Sequence, residues 1–414
     1  MASKLAIQGG TKVRTKPYPK WPMAGKEEED ALIRVLRSGT WGCTQGSEVG
    51  KFEAAFAKYQ DAKHGIAVVN GTVSLRLALM ASGIQAGDEV IVPPYTFLAT
   101  ASSVVEANGT PVFVDIHPDT YNLDPDKIEA AITPRTRAII PVHVAGLAAD
   151  MDRILAIARR RNLTVIEDCA HAHGATYKGR KVGAIGDMGS FSFQSSKNLT
   201  SGEGGIILSD NDTVAAMCRS LHNCGRVEGG TWYGHRNPGG NYRMTEFQGA
   251  LLSCQLVRLE EQAVTRDANG LYLDKKLAEI PGLQPMARGR FGETRHAYHL
   301  YMFRYDPDTF GGATREAFCK AVSAEGVPCC GGYPVPLYRQ PLFAEKHFGP
   351  FTGYRSTRPE MDYANVSCPV CEQACKAACW ITQSVLLGSR ADMDDIVAAV
   401  AKVYENRAEL ASVR

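Results

Sequence analysis

Three groups of residues in this chain have types and settings suited to chemistry on a carbonyl carbon. In "SFSFQSSKNLTSGEGG", residues 190–205, Lys197 stands between a strand-like apolar run and a polar, glycine-rich loop, with Ser192, Ser195 and Ser196 close by. A lysine amine held there can form a covalent link to a carbonyl compound and later move protons as a general acid and base. Twenty-nine residues earlier, Asp168 ends the apolar run "VIED". A carboxylate at such a strand end costs stability unless it is paired, and a protonated ring nitrogen is a suitable partner. In "VVNGTVSL", Asn70 and Gly71 form a turn and Thr72 opens a helix. The free N–H groups of a helix start preceded by glycine suit an anion such as a phosphate.

A phosphate site, a carboxylate for a pyridinium nitrogen and a lysine for a Schiff base are together what pyridoxal 5′-phosphate requires. "PPYTF", residues 93–97, adds an aromatic ring that could stack on the cofactor, either Tyr95 or Phe97. His171 and His173 follow Asp168 within five residues. With one aspartate and no clear third ligand they match no common zinc geometry, so no metal is expected. One of them is read as a cofactor contact, and His173 as structural.

The elements that must hold these groups alternate. Strand-like runs at 65–69, 89–93, 111–115, 137–143 and 163–168 are separated by helical periodicities at 72–83, 98–109, 124–132 and 150–161. The strands are continuous apolar runs, which is the pattern of a sheet covered on both faces. Their alternation with helices predicts a largely parallel α/β sheet. From residue 186 short strands take over, then a long helical stretch, 245–280, as one helix or two joined ones. A smaller α+β domain follows. The expected divisions are an N-terminal arm and helix at 1–40, a large cofactor-binding domain at 41–262 and a small domain at 263–414, since 414 residues exceed one ordinary core.

A formal net charge of +2 gives no global field for nucleic acid or an acidic membrane surface. No apolar run reaches membrane-span length. The N-terminus lacks a secretory apolar core, so a cytoplasmic protein is expected. Twelve cysteines include Cys368, Cys371, Cys375 and Cys379. Their steps of three, four and four residues would line one face of a helix, where cysteine acts as a small apolar residue.

The succession "NGTVSL", "PPYTFLATASSV", "PVFVDI", "IIPVHVAGLAADMD", "VIEDCAHAHGA", "GSFSFQSSKNLTSGEGG" and "NYRMTEFQGA" resembles the sugar and cyclitol aminotransferases of the DegT–StrS group. The resemblance runs from about Gly39 to Leu387. It implies the fold type I architecture of pyridoxal-phosphate-dependent transferases. It also implies Lys197 as the Schiff-base lysine, Asp168 at the pyridine nitrogen and Phe97 as the stacking ring. Gly71, Thr72 and Ser192 would lie at the phosphate. His171 stands where the family often has glutamine, at the ring hydroxyl. Asn241 would reach the phosphate of a neighbouring subunit, which implies a homodimer with shared active sites.

"MFRYDPDTFGG", "REAFCKAVSAEG" and "YPVPLYRQPLF" are most similar to the scyllo-inosose branch. The implied reaction moves an amino group from L-glutamine or L-glutamate to a keto-cyclitol, with Trp41 and Tyr333 as candidates to line the substrate pocket. The alternatives are a nucleotide-keto-sugar aminotransferase, a sugar dehydratase and a pyridoxal-phosphate-binding regulator without turnover. Relatives that became dehydratases carry histidine in place of the lysine or add an iron–sulfur cluster, whereas this chain keeps Lys197.

Overall fold

The computed structural model describes residues 3–349 and 362–410. Its centre is a seven-stranded sheet. In chain order the strands are β1 (His64–Val68), β2 (Glu89–Val92), β3 (Thr110–Phe113), β4 (Thr136–Ile139), β5 (Thr164–Asp168), then, after a short hairpin of β6 (Thr176–Tyr177) and β7 (Arg180–Lys181), β8 (Met188–Ser192) and β9 (Gly205–Ser209). The spatial order is β1-β9-β8-β5-β4-β2-β3. β9 runs antiparallel to both of its neighbours, and the other pairings in the sheet are parallel. This is the mostly parallel α/β sheet that the sequence pattern predicts.

The continuous apolar strands are explained by two cores, one on each face. Side chains alternate along a strand, so neighbours enter opposite layers. Ile66 and Val68 join one core while Ala67 joins the other, and Val90 and Val92 are separated from Ile91 in the same way. Among the helices, α1 is Lys26–Ser38, α2 Glu48–Tyr59, α3 Gly71–Ala81, α4 Ala99–Glu106, α5 Pro125–Ala131, α6 Met151–Arg161, α7 Asp212–His222 and α8 Glu246–Leu277. α3, α4 and α7 cover the first face, and α2, α6 and α8 contribute to the second. α2 has no counterpart in the sequence reading, although Val49, Phe52, Phe56 and Ala57, its buried residues, have helical spacing.

The stretch expected as one helix or two is a single 32-residue helix, α8, opened by a Thr245 and Gln248 capping box. The expected division at 262/263 falls inside it. Its C-terminal Leu273 and Leu277 pack in a third core beneath an antiparallel four-stranded sheet, β10 (Leu283–Pro285), β12 (Leu300–Tyr305), β14 (Ala378–Thr382) and β13 (Cys329–Gly331). The intervening β11 (Glu293–Arg295) pairs with β6 instead.

The C-terminal cysteines do not share one face. The helix Pro369–Ala377 ends before Cys379, which lies on β14. Cys368, Cys371 and Cys375 pack in the first core, and Cys379 packs in the third with Cys319 and Cys329. The segment changes from helix to strand because residues 378–382 complete the small sheet between β12 and β13. No helix among the described residues is long and apolar enough to cross a membrane.

Candidate active site

A cavity of about 790 Å³ opens at the C-terminal ends of the central parallel strands. This is the edge where open α/β sheets bind ligands. Gly71, Thr72, Phe97, Asp168, His171, Ser192, Lys197 and Tyr333 all line it. Residues more than a hundred positions apart in sequence therefore face one space.

α3 begins directly after the β1 turn, with the Asn70 side chain accepting from the Val73 N–H at 2.9 Å. Asn70 caps one donor and leaves the other first-turn N–H groups at the cavity edge. A Cβ on Gly71 would lie 2.6 Å from the Cβ of Ser192. Only glycine lets this helix start approach the end of β8 so closely, which makes a cradle of backbone and hydroxyl groups suited to a phosphate.

Asp168 is at the end of β5, and its backbone is tied to the neighbouring chain: its N–H donates to the Pro141 carbonyl at 2.8 Å and its carbonyl accepts from the His143 N–H at 3.1 Å. Behind it, the buried His143 Nε2 lies 3.0 Å from Glu167 Oε2. Burial alone would raise the Glu167 pKa. The His143 hydrogen bond and the N–H groups of Gly183 and Gly186 outweigh that and hold it below the usual carboxylate range. Asp168 itself accepts from the Thr100 hydroxyl at 2.8 Å and the Ala170 N–H at 3.1 Å. Burial still pushes its pKa up, against those hydrogen bonds and the charge of Lys197. A carboxylate with two neutral donors and no contacting cation among the described residues can take a protonated nitrogen.

Burial lowers the Lys197 pKa to about 8, opposed by the charge of Asp168. A substantial share of its amine is therefore neutral near physiological pH and able to attack a carbonyl carbon. His171 accepts the Ala145 N–H at Nδ1 over 3.3 Å and is kept uncharged by burial and by Lys197. Its proton then sits on Nε2, where it can be donated. The ring packs at 4.3 Å on that of His299, another lining residue. His173 does not line the cavity. It is buried against Phe56, Phe191 and Phe193, and burial lowers its pKa to about 3.

Of the two aromatic candidates in "PPYTF", Phe97 lines the cavity and is 60% exposed, whereas Tyr95 is fully buried against Tyr121 and Tyr333. These features fit a ring-bearing, phosphate-bearing aldehyde such as pyridoxal phosphate: a cradle closed to any Cβ, an ion-deficient buried carboxylate and a depressed lysine.

Residues 22–401 match the model of the DegT/DnrJ/EryC1/StrS aminotransferase family. The chain belongs to that family. A Streptoalloteichus tenebrarius protein whose name gives L-glutamine:3-amino-2,3-dideoxy-scyllo-inosose aminotransferase as a provisional assignment is 43% identical over 413 residues, 98% of this chain and 99% of that one. The L-glutamine:2-deoxy-scyllo-inosose aminotransferase of the same organism is 40% identical over 430 residues, covering 99% and 100%. Among solved structures, 3-amino-5-hydroxybenzoic acid synthase superposes with a TM-score of 0.85 at 33% identity, covering 95% of this chain and 100% of that one.

Two expected residues of this DegT/StrS-family aminotransferase lie outside its own chain's cavity. Trp41 is half exposed, packs on Phe247 at 5.9 Å and donates its indole N–H to the Leu36 carbonyl at 3.3 Å. It follows α1 and bridges to the start of α8, which carries it away from the strand ends. Asn241 is exposed on the loop before α8. Other lining residues had no reading from sequence: Trp21, Thr100, Gln194, His299, Trp380 and Gln383. Thr100 could have been sought as the residue one turn beyond Thr96, whose hydroxyl it meets at 2.9 Å. Gln383 carries no local signal.

Proposed function

We propose that this chain is a pyridoxal-phosphate-dependent aminotransferase that moves an amino group from L-glutamine or L-glutamate to a keto-cyclitol of the scyllo-inosose type, and that it works as a homodimer with shared sites. The observation that carries the reading is the convergence of Lys197, Asp168 and the α3 N-terminus on one cavity. Full-length similarity to a named L-glutamine:2-deoxy-scyllo-inosose aminotransferase supports the substrate class.

When bound, pyridoxal phosphate supplies an electron-accepting ring that makes the α-proton of an attached amino acid acidic. In the proposed site Gly71, Thr72 and Ser192 hold its phosphate, Phe97 stacks on its ring and His171 donates Nε2–H to the ring hydroxyl. Asp168 keeps the ring nitrogen protonated, because a buried carboxylate is stabilised by a cation at contact. Lys197 anchors the aldehyde. Its amine, when not linked to the cofactor, would serve as the general base and acid for the donor's α-proton. The lining side chains of Trp380, Thr382 and Ser384 offer hydrogen-bonding groups for a polyhydroxylated ring.

Asn241 is proposed to reach the phosphate of the partner subunit. Its exposure supports that reading, as do the neighbouring Trp232 and Tyr233, which are 80% and 75% exposed. Bare aromatic surface of this kind is common where a partner covers it.

The test loads the protein with pyridoxamine phosphate and offers a panel of ketones, with scyllo-inosose and 2-deoxy-scyllo-inosose among them and a nucleotide-linked keto-sugar as contrast. Return of the lysine-linked cofactor absorbance with the cyclitols is expected. Return only with the nucleotide sugar would overturn the substrate class. Release of ammonia or of a deoxyketosugar would point to a dehydratase, and no half-reaction with any amino acid would point to a regulator.

A further inference from the structure

Arg266 is a buried cation with no anionic partner among the described residues. It sits on α8, fully enclosed. Its Nε and Nη2 donate to the single oxygen Oε1 of Gln383 at 3.0 and 2.6 Å. Its Nη1 has no partner, and the Trp21 ring lies over the guanidinium at 5.2 Å. Burial of a charge in this way is costly unless something compensates it. Trp21 and Gln383, which both contact Arg266, also line the active-site cavity.

A guanidinium only donates hydrogen bonds, so the oxygen of Gln383 must face it. The amide N–H₂ of Gln383 then points the other way, and it has no acceptor among the described residues. The backbone there is also pinned. Asn269, one helical turn from Arg266 on α8, donates to the carbonyls of Leu386 and Gly388 at 2.9 and 2.8 Å. The result is a fixed donor on the cavity surface, polarised by a positive charge directly behind it. Among the residues lining the cavity, Lys197 is the sole lysine or arginine. That lysine is occupied with the reacting carbon, so among this chain's described lining residues no other cationic side chain is left for a carboxylate entering the site.

We propose that Gln383 binds the α-carboxylate of the amino-acid donor and that Arg266 is its positioning residue, holding the amide with its donors toward the ligand and supplying the compensating charge. This rests on the aminotransferase reading and adds the donor subsite to it. A purely structural tie between α8 and the segment after β14 would need neither a charge on Arg266 nor a free amide on Gln383.

The test uses the holoenzyme with Gln383→Glu, Gln383→Met and Arg266→Met, each checked for its melting temperature. Gln383→Glu keeps the tie to Arg266 and turns it into an ion pair, so stability should hold or rise. It also puts a negative charge where the donor carboxylate binds. Glutarate binding by calorimetry should weaken at least tenfold, and the half-saturating concentration of L-glutamine or L-glutamate in the donor half-reaction should rise at least tenfold. The acceptor half-reaction with a keto-cyclitol should change by less than about twofold. Gln383→Met and Arg266→Met should show the same direction with smaller loss. Wild-type affinity for glutarate and donor in Gln383→Glu would overturn the proposal, as would equal loss in both half-reactions. If the wild type runs no donor half-reaction, the aminotransferase reading fails, while the glutarate comparison still decides the carboxylate site.

Discussion

The rings of His171 and His299 lie 4.3 Å apart, tilted by 32°, on one side of the cavity that holds Lys197. Each is buried, and burial keeps each uncharged, with Lys197 adding to the effect. His171 has a backbone partner, but the Nδ1 of His299 has none among the described residues. Because His299 also lines the cavity, a ligand is the partner expected for that nitrogen. His299→Phe keeps the ring contact and removes that nitrogen. The melting temperature should stay within a few degrees of wild type, while turnover falls at least tenfold. Unchanged turnover in a folded variant would mean that this nitrogen meets no ligand.

Lys197 should be visible in the stability of the cofactor-free protein. Its folded pKa is about 8 and its unfolded value 10.5. Below pH 8 both states carry the proton, and the folded state bears the full cost of burying the charge. Between pH 8 and 10.5 the unfolded state binds more protons, so this contribution to stability rises with pH. Lys197→Met should therefore stabilise the apo-protein at pH 7 by roughly 3 kcal/mol, with the advantage shrinking towards pH 10.5. Urea unfolding at several pH values measures it. In the holo-protein, Lys197→Ala should abolish the absorbance of the lysine-linked cofactor, and a borohydride-reducible bond persisting in that variant would identify a different lysine.

Asp168→Asn separates electrostatics from packing. Burial raises the pKa of this carboxyl, so its charge costs stability in the empty protein. The amide still accepts from Thr100 or Ala170, and the apo melting temperature should hold or rise. It cannot keep a ring nitrogen protonated, so transamination should fall at least a hundredfold. Near-wild-type rates would place the ring nitrogen elsewhere.

Asn241 tests the shared site. A mixture of Lys197→Ala and Asn241→Asp subunits, each folded and inactive alone, should regain part of the wild-type activity. A mixed dimer contains one site with both defects and one with neither. Cofactor that touches both subunits also stabilises the dimer by mass action, so Asn241→Ala should loosen cofactor retention and, on dilution, loosen the dimer more in apo than in holo protein. Failure to recover activity after confirmed subunit exchange counts against a composite site.

The order of strands and helices was readable because it rests on local periodicity. β1 to β5 and α3 to α6 lie within a few residues of the predicted runs, and their apolar continuity already required cover on both faces. Asp168 and Asn70–Gly71 were readable for a related reason: one ends a strand and the other starts a helix, and those boundaries leave backbone groups or charges that need a partner, while Lys197 stood out as a lone lysine in the glycine-rich loop after β8. Local pattern could not say that all three meet in one cavity, which depends on β1, β5 and β8 lying close together in the sheet. It could not place Cys379 on a strand, because the partners of that strand, β12 and β13, are distant in sequence. Nor could it show Arg266 behind Gln383, a contact across 117 residues in which each side chain alone reads as ordinary helix surface or loop. Periodicity records which face of an element is buried. What that face meets is decided by tertiary packing, and here packing leaves a cation and an amide with donors unspent beside the site.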